Sequence, residues 1–437
     1  MKQTLSGKKL VLIGFTLFSM FFGAGNLIFP PFLAAQAGTS VWAAMAGFLI
    51  SAVGLPILGV VAVAHSGGLT KLAGRVHPIF ALVFTILIYL SIGPCLAIPR
   101  TASTSFEMAV LPFLGEGKTA LAQFLYSAVF FAIATFLACN PDKLTERLGK
   151  ILCPTLLVLI FAVFVGSVLK PVGTFADPMG NYMGMAPVQG FLDGYQTMDT
   201  IAALNFGIII ALNIQTLGVK EDSKIVKTTI QSGILAGILL GVVYIALAFV
   251  GAQAGSDAQG LDNGARILTF VVSKIYGKAG VFLLGVIFFI ACLNTCTGLI
   301  CCCSKYFSTL VPKLSYGKWM AIFVITSFIV SNAGLSRILA FSVPVLNAIY
   351  PIAIVLIILS FMNNGTGRLK NMYPGAILLT GMVSVVYALE QTHIVIPGVT
   401  NLFAMIPGYT LGLGWLIPAA IGCVAGCLIG KNRNKSR

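Results

Sequence analysis

From Leu10 to Ala35 the chain carries no charged side chain, and eleven more apolar runs follow it. A run of that length can cross a hydrocarbon layer of about 30 Å, which takes roughly 20 helical residues. In that solvent each backbone N–H and C=O must be satisfied within the protein, as a helix satisfies them internally. The runs are Leu10 to Ala35, Val41 to Ala64, Ile79 to Ile98, Ala120 to Ala138, Ile151 to Leu169, Val188 to Asn213, Ile230 to Val250, Gly280 to Cys303, Met320 to Val330, Leu339 to Met362, Ala376 to Leu389 and Leu411 to Ile429. The expected fold class is therefore an all-α polytopic membrane protein of about twelve transmembrane helices.

Composition excludes the aqueous alternatives. Charged residues make up 9% of the 437, against about 25% in a soluble domain. An aqueous enzyme, a secreted disulfide scaffold and a disordered chain are ruled out. Twelve spans use on the order of 240 residues, and the remainder covers loops and tails but no separate soluble domain. The 47 glycines suit close helix approach within a bilayer.

The net charge of +15 reads as membrane orientation in preference to nucleic-acid binding, because the basic residues sit in short loops. With the amino terminus inside, twenty Lys and Arg fall on the cytoplasmic side, among them Lys2, Lys8, Lys9, Lys143, Arg147, Arg368, Lys370 and Arg437. The other side, or spans near it, receives Arg100, Lys118, Lys170, Arg266, Lys274, Lys278 and Arg337. This asymmetry expects both termini in the cytoplasm of a multi-pass membrane protein. The first run is too long for the roughly 7 to 15 apolar residues of a cleaved signal. Most of the ten cysteines lie in apolar runs without histidine partners at metal-site spacing, and they read as packing residues. In the loop from Gln253 to Lys278, Ile267, Leu268, Val271, Val272 and Ile275 are spaced for a short helix over one face; a solvated loop fits equally well.

Two runs are poor plain helices. The first holds Gly23-Ala24-Gly25-Asn26 at mid-depth, then Pro30-Pro31, and reads as two half-helices around an unwound stretch from Gly23 to Asn26. The sixth holds Gly194-Tyr195-Gln196-Thr197-Met198-Asp199-Thr200. Asp199 is the only carboxylate placed well inside a span, at a cost of about 2.5 to 3.5 kcal/mol, so it marks a site or a specific partner; otherwise it caps a helix that starts later, at the interface. Interrupted spans at matching positions in two halves point to an inverted-repeat secondary transporter. The repeats would be residues 10–170 and 188–362, with 372–429 as two accessory helices. Each break exposes amides that suit a carboxylate and carbonyls that suit a cation, the basis for coupled transport of a zwitterion. Pro344, Asn347 and Pro351 in the tenth run suggest a kink.

Phe22-Gly23-Ala24-Gly25-Asn26-Leu27-Ile28-Phe29-Pro30-Pro31, Ile92-Gly93-Pro94-Cys95-Leu96-Ala97-Ile98-Pro99-Arg100-Thr101 and Gly194-Tyr195-Gln196-Thr197-Met198-Asp199 together resemble the bacterial branched-chain amino acid:cation symporter family. The resemblance extends over nearly the whole chain and implies the leucine-transporter fold, a 5+5 inverted repeat with broken helices 1 and 6. It also implies a place in the bacterial cell membrane, with small branched-chain L-amino acids as substrate and a coupling cation. By the same similarity Ala24, Gly25 and Asn26 would lie at the substrate, and the second break adds Thr197, Asp199 and Thr200. The carbonyls of Ser19, Phe22 and Ala291 and the side chains of Asn294 and Thr295 would hold a sodium ion, although interhelical hydrogen bonding also accounts for Asn294 and Thr295.

The function expected is sodium-coupled import of leucine, isoleucine and valine, with no cofactor. Proton coupling through Asp199 is the alternative, and a channel a weaker one. A membrane enzyme would need a clustered catalytic set, which three scattered histidines do not supply. No basic residue is placed deep in a span, which disfavours acidic substrates; an aliphatic side chain would rest among Phe21, Phe22, Leu27, Tyr89 and Phe206.

Overall fold

The computed structural model describes residues 6–114, 119–139, 150, 152–258, 260, 261, 263–362 and 371–435. Lys2, Lys118, Lys143, Arg147, Arg368, Lys370 and Arg437 of the charge asymmetry lie outside them. Within the described residues all regular elements are helical. Eight helical stretches there are long and apolar enough to cross a membrane by length and composition. Large apolar side chains such as Phe136, Val158, Phe161, Leu169 and Val242 face outward. Exposure on that scale is untenable in water and ordinary in lipid.

The first run folds as α1 (Gly7–Phe21) and α2 (Ala24–Ala37). The break is shorter than the expected Gly23 to Asn26, being confined to Phe22 and Gly23. The Asn26 side chain explains the difference: its Oδ1 accepts the Gly23 N–H at 2.9 Å, so the new helix starts at once. The second run is α3 (Val41–Leu49) and α4 (Leu55–Ser66), joined by a π turn at Ile50–Gly54. A short α5 (Leu69–Gly74) follows.

The third run departs most from expectation. Helix α6 (Pro78–Leu90) enters a π turn at Ser91–Cys95, where Gly93 leaves helical dihedrals ahead of Pro94, and α7 (Ala97–Ala109) carries the chain on. The span was expected to end at Ile98, since Pro99-Arg100 looks like a boundary. Pro99 instead occupies the first turn of α7, where its missing N–H costs nothing. Arg100, Thr101, Ser103, Thr104 and Ser105 are all buried within the protein. Arg100 thus belongs to the interior and not to a loop.

Helices α8 (Thr119–Ala138) and α9 (Cys153–Leu169) follow. The sixth run is α10 (Tyr182–Asp193), a 3-10 turn at Gly194–Thr197, Met198 in the left-handed region with φ 65°, and α11 (Asp199–Thr216). Asp199 does begin a helix, but it does so buried, at the middle of the run.

Helix α12 (Asp222–Ala252) precedes α13 (Gly264–Leu310), which bends at Gly277, where φ is 61°. The portion of α13 before that bend is the short helix expected between Gln253 and Lys278, and its apolar positions are buried. Helices α14 (Tyr316–Ser331), α15 (Leu335–Met362), α16 (Met372–Gln391), α17 (Val399–Ala404) and α18 (Leu416–Lys435) complete the chain. Helix α15 runs unbroken through Pro344 and Pro351.

The two broken spans are seated by glycines. A Cβ on Gly47 of α3 would lie 1.8 Å from the Pro187 carbonyl oxygen of α10, and one on Gly190 of α10 would lie 1.9 Å from that of Ala44 in α3. Helix α2 meets α12 and α13 in the same way: Gly251 lies against the Pro31 backbone and Gly264 against the Ile28 carbonyl. Side chains at these positions would separate the helices, so the absence of a Cβ sets the spacing.

Candidate functional site

The breaks of the first and sixth spans meet around one enclosed cavity. It is lined by Met20, Phe21, Gly23, Ala24, Gly25 and Asn26 from the first span, and by Thr197, Met198, Asp199 and Ala202 from the sixth. Ile92, Ala97, Arg100 and Thr101 of the third span and Thr295 and Leu299 of α13 close it. Its free volume is about 20 Å3, room for about one water.

Asp199 is held by a three-membered network. Its Oδ2 accepts Asn26 Nδ2–H at 2.6 Å and the Tyr244 hydroxyl at 2.8 Å, and Asn26 Nδ2 also donates to the Tyr244 oxygen. With its Oδ1 committed to Gly23, the Asn26 amide has only one orientation that fits. One side chain therefore caps the first break and positions the carboxylate at the second. Tyr244, from the middle of α12, carried no sequence signal; a tyrosine in an apolar run gives no clue to its partner.

Arg100 spans both breaks. Its Nη1 donates to the Gln196 carbonyl at 2.9 Å, at the end of the sixth-span turn. Its Nη2 lies 2.8 Å from where a Cβ on Gly25 would sit, and its guanidinium carbon is 5.8 Å from the Phe29 ring centroid. The expectation that no basic residue lies deep in a span is thereby corrected. The signal was present in Gly93-Pro94 and Pro99, which mark a third interrupted span and keep the chain inside beyond Ile98.

Ala24, Gly25, Asn26, Thr197 and Asp199 line the cavity; Thr200 does not, since its hydroxyl donates to the Ser51 carbonyl of the second span at 3.2 Å. Of the aromatic and aliphatic side chains expected around the substrate, Phe21 alone lines it. Phe206 packs against Phe21 at 5.4 Å, Phe22 stacks on Phe18, Tyr89 stacks on Tyr306 and Leu27 is buried elsewhere. Met20, Ile92, Ala97, Ala202 and Leu299 supply the apolar surface instead.

Residues of the expected cation site also converge. Asn294 Nδ2 donates to Ser19 Oγ at 2.7 Å. A Cβ on Gly23 would lie 2.6 Å from Thr295 Oγ1, which places that hydroxyl against the first break. Asn294 Oδ1 and Thr295 Oγ1 are buried and accept or donate no hydrogen bond among the described residues. Ser19, Phe22 and Ala291 are buried as well.

A second cavity of about 320 Å3 adjoins the site and is lined by Phe29, Gln196, Gln189, Asp193, Asn347 and Tyr387 among others. Asp193 accepts from the Tyr182 hydroxyl at 2.5 Å and from Gln189 at 2.9 Å. Phe29 and Gln196, the two residues against Arg100, thus lie between the enclosed cavity and the wider one.

The family model described as "Branched-chain amino acid transport protein" matches residues 6–433. The branched-chain amino acid permease BrnQ of Bacillus subtilis is 39% identical over 439 residues, covering 100% of both chains. The branched-chain amino acid transport system 2 carrier protein of Pseudomonas aeruginosa is 38% identical over 434 residues, covering 99% of this chain and 98% of that protein. Among solved structures, the nucleobase-cation-symport-1 family transporter Mhp1, closed with bromovinylhydantoin bound, superposes with a TM-score of 0.57 over 97% of this chain and 93% of that one, at 11% identity. That likeness supports the expected fold and nothing finer. Sequence and fold agree, and the chain belongs to the branched-chain amino acid transport protein family, as a multi-pass membrane transporter and not an enzyme.

Proposed function

We propose that the protein is a secondary active transporter that carries leucine, isoleucine and valine inward, through a bacterial cell membrane in which both termini are cytoplasmic, by symport with sodium. The observation that carries the sodium assignment is the pair of orphaned oxygens, Asn294 Oδ1 and Thr295 Oγ1, beside the first-span break. Buried polar atoms are seldom left without a partner, and each one calls for an explanation. Asn294 spends its N–H on Ser19, which leaves its oxygen as the free end of the amide. The Gly23 N–H, which in an unbroken helix would bond the Ser19 carbonyl, is taken by Asn26. Neutral hard oxygens with unspent lone pairs suit a small hard cation better than a proton. Carbonyls of Ser19, Phe22 and Ala291 would complete the set.

Ala24, Gly25, Asn26, Thr197 and Asp199 would face the substrate, with Thr200 supporting the second break. The enclosed cavity is too small for leucine as it stands, so loading requires the breaks to part, as alternating access demands. A 5+5 repeat over 10–170 and 188–362, with 372–429 as accessory helices, places the two breaks in equivalent positions.

The test is uptake of labelled leucine into proteoliposomes under an imposed sodium gradient, compared with a proton gradient. Uptake should require sodium, and unlabelled isoleucine and valine should block it, with glutamate and lysine inert. Undiminished uptake in sodium-free buffer under a proton gradient would transfer the coupling to Asp199. Strong inhibition by glutamate or lysine would refute the aliphatic reading of the cavity.

A further inference from the structure

Arg100 alters what each end of the site can bind. The carbonyl end of the sixth-span turn, at Gln196, would otherwise suit a substrate ammonium. It is already occupied by the Arg100 guanidinium at 2.9 Å. A second cation placed there would meet a fixed like charge. Arg100 itself is buried, lines the cavity and has five N–H donors, of which the structure commits one to a hydrogen bond among the described residues. Gly25, lacking a side chain, leaves the guanidinium room against the first break.

Across the same cavity, Asp199 presents the opposite chemistry. Asn26 and Tyr244 both donate to its Oδ2. The carboxylate itself lines the cavity. The cavity therefore has one fixed cation and one fixed anion on different spans, surrounded by Met20, Phe21, Ile92, Ala202 and Leu299. That arrangement is complementary to a molecule carrying one negative group, one positive group and an aliphatic tail.

Resting on the reading of the substrate as an aliphatic amino acid, we propose that Arg100 is the carboxylate-binding residue of the transporter and Asp199 its ammonium-binding residue, so that the two together select a zwitterion. In the absence of substrate the two charges compensate each other within the cavity. Substrate then gives each of the two charges a partner of opposite sign. A ligand with one charge would leave the other protein charge buried without its partner, which is strongly unfavourable.

The experiment compares leucine with two singly charged analogues, isoamylamine, which lacks the carboxylate, and isocaproate, which lacks the ammonium. Each competes against labelled leucine bound to purified protein in detergent with sodium present. Wild-type protein should bind leucine, with both analogues weaker by about tenfold or more, the scale of a lost charged hydrogen bond. In Arg100→Gln, leucine affinity should fall by about tenfold or more while isoamylamine, relieved of the unpartnered Arg100 charge, binds more tightly than it does to wild type. Arg100→Lys should recover part of the loss. Isoamylamine that matches leucine on the wild-type protein overturns the assignment without any variant being made. Equal loss of leucine and isoamylamine in Arg100→Gln also overturns it, by showing a general support role. Failure of the wild-type protein to bind leucine at all would strike down the substrate reading, and the assignment with it.

Discussion

Replacing Thr295 by Val removes one oxygen from the proposed cation site and little else. The Thr295 hydroxyl is buried against Gly23 and has no hydrogen-bond partner among the described residues. An unpartnered buried hydroxyl costs about 1 to 3 kcal/mol, so its replacement by a methyl should leave sodium-free protein as stable as wild type or more so. Sodium binding should move the other way. If a lost oxygen ligand weakens sodium tenfold, about 1.4 kcal/mol, then sodium at 100 times the wild-type Kd stabilises the wild type by about 2.7 kcal/mol and the variant by about half as much. The assay is thermal unfolding in detergent across a sodium titration, paired with sodium-dependent leucine uptake in proteoliposomes. Thr295→Val should raise the sodium concentration for half-maximal uptake by about tenfold and shrink the sodium-induced shift, with Thr295→Ser retaining most of both. A variant that is less stable without sodium, yet unchanged in its sodium response, would show that the hydroxyl is a packing or hydrogen-bonding group.

Two further substitutions test the geometry of the breaks. Asp199→Asn should insert and remain monodisperse, because an amide oxygen can still accept from Asn26 and Tyr244 and an intramembrane charge has been removed; coupled uptake should nevertheless collapse, and normal uptake would reduce Asp199 to a capping residue. Gly25→Ala would put a methyl 2.8 Å from Arg100 Nη2 and 3.2 Å from the Gln196 carbonyl oxygen; leucine uptake should fall by more than about tenfold (~1.4 kcal/mol), whereas Gly184→Ala, with nothing within 4 Å of the added carbon, should be silent.

Features that announce themselves locally were legible in the sequence. Glycine clusters within apolar runs betrayed the breaks at Gly23 and Gly194, and a lone acid flagged Asp199, because each violates a rule that a plain membrane helix obeys. The third interruption violates the same rule at Gly93-Pro94, but Pro99 followed by the charge of Arg100 looks like the end of a span. Only burial by other helices keeps the run from Arg100 to Ser105 inside the protein, and such burial is a property of packing that hydropathy along one chain does not encode. Tyr244 and the side chains that line the cavity depend on helix rotation and long-range contact. A register difference of one residue turns an apolar side chain from the cavity into the packed interior between helices, as the contrast between Phe21 and Phe22 shows.

The glycine contacts of α3 with α10, and of α2 with α12 and α13, have a mechanical consequence. Where one backbone rests on another, no layer of side chains is left to compress or re-pack, and small displacements are not absorbed. Such contacts favour rigid-body displacement of each set, and α10 leads directly into the turn at Gly194–Thr197. The Arg100 to Gln196 hydrogen bond joins that turn to α7. A displacement of α3 is thus coupled, through α10 and this turn, to the side chain of Arg100 in the cavity wall.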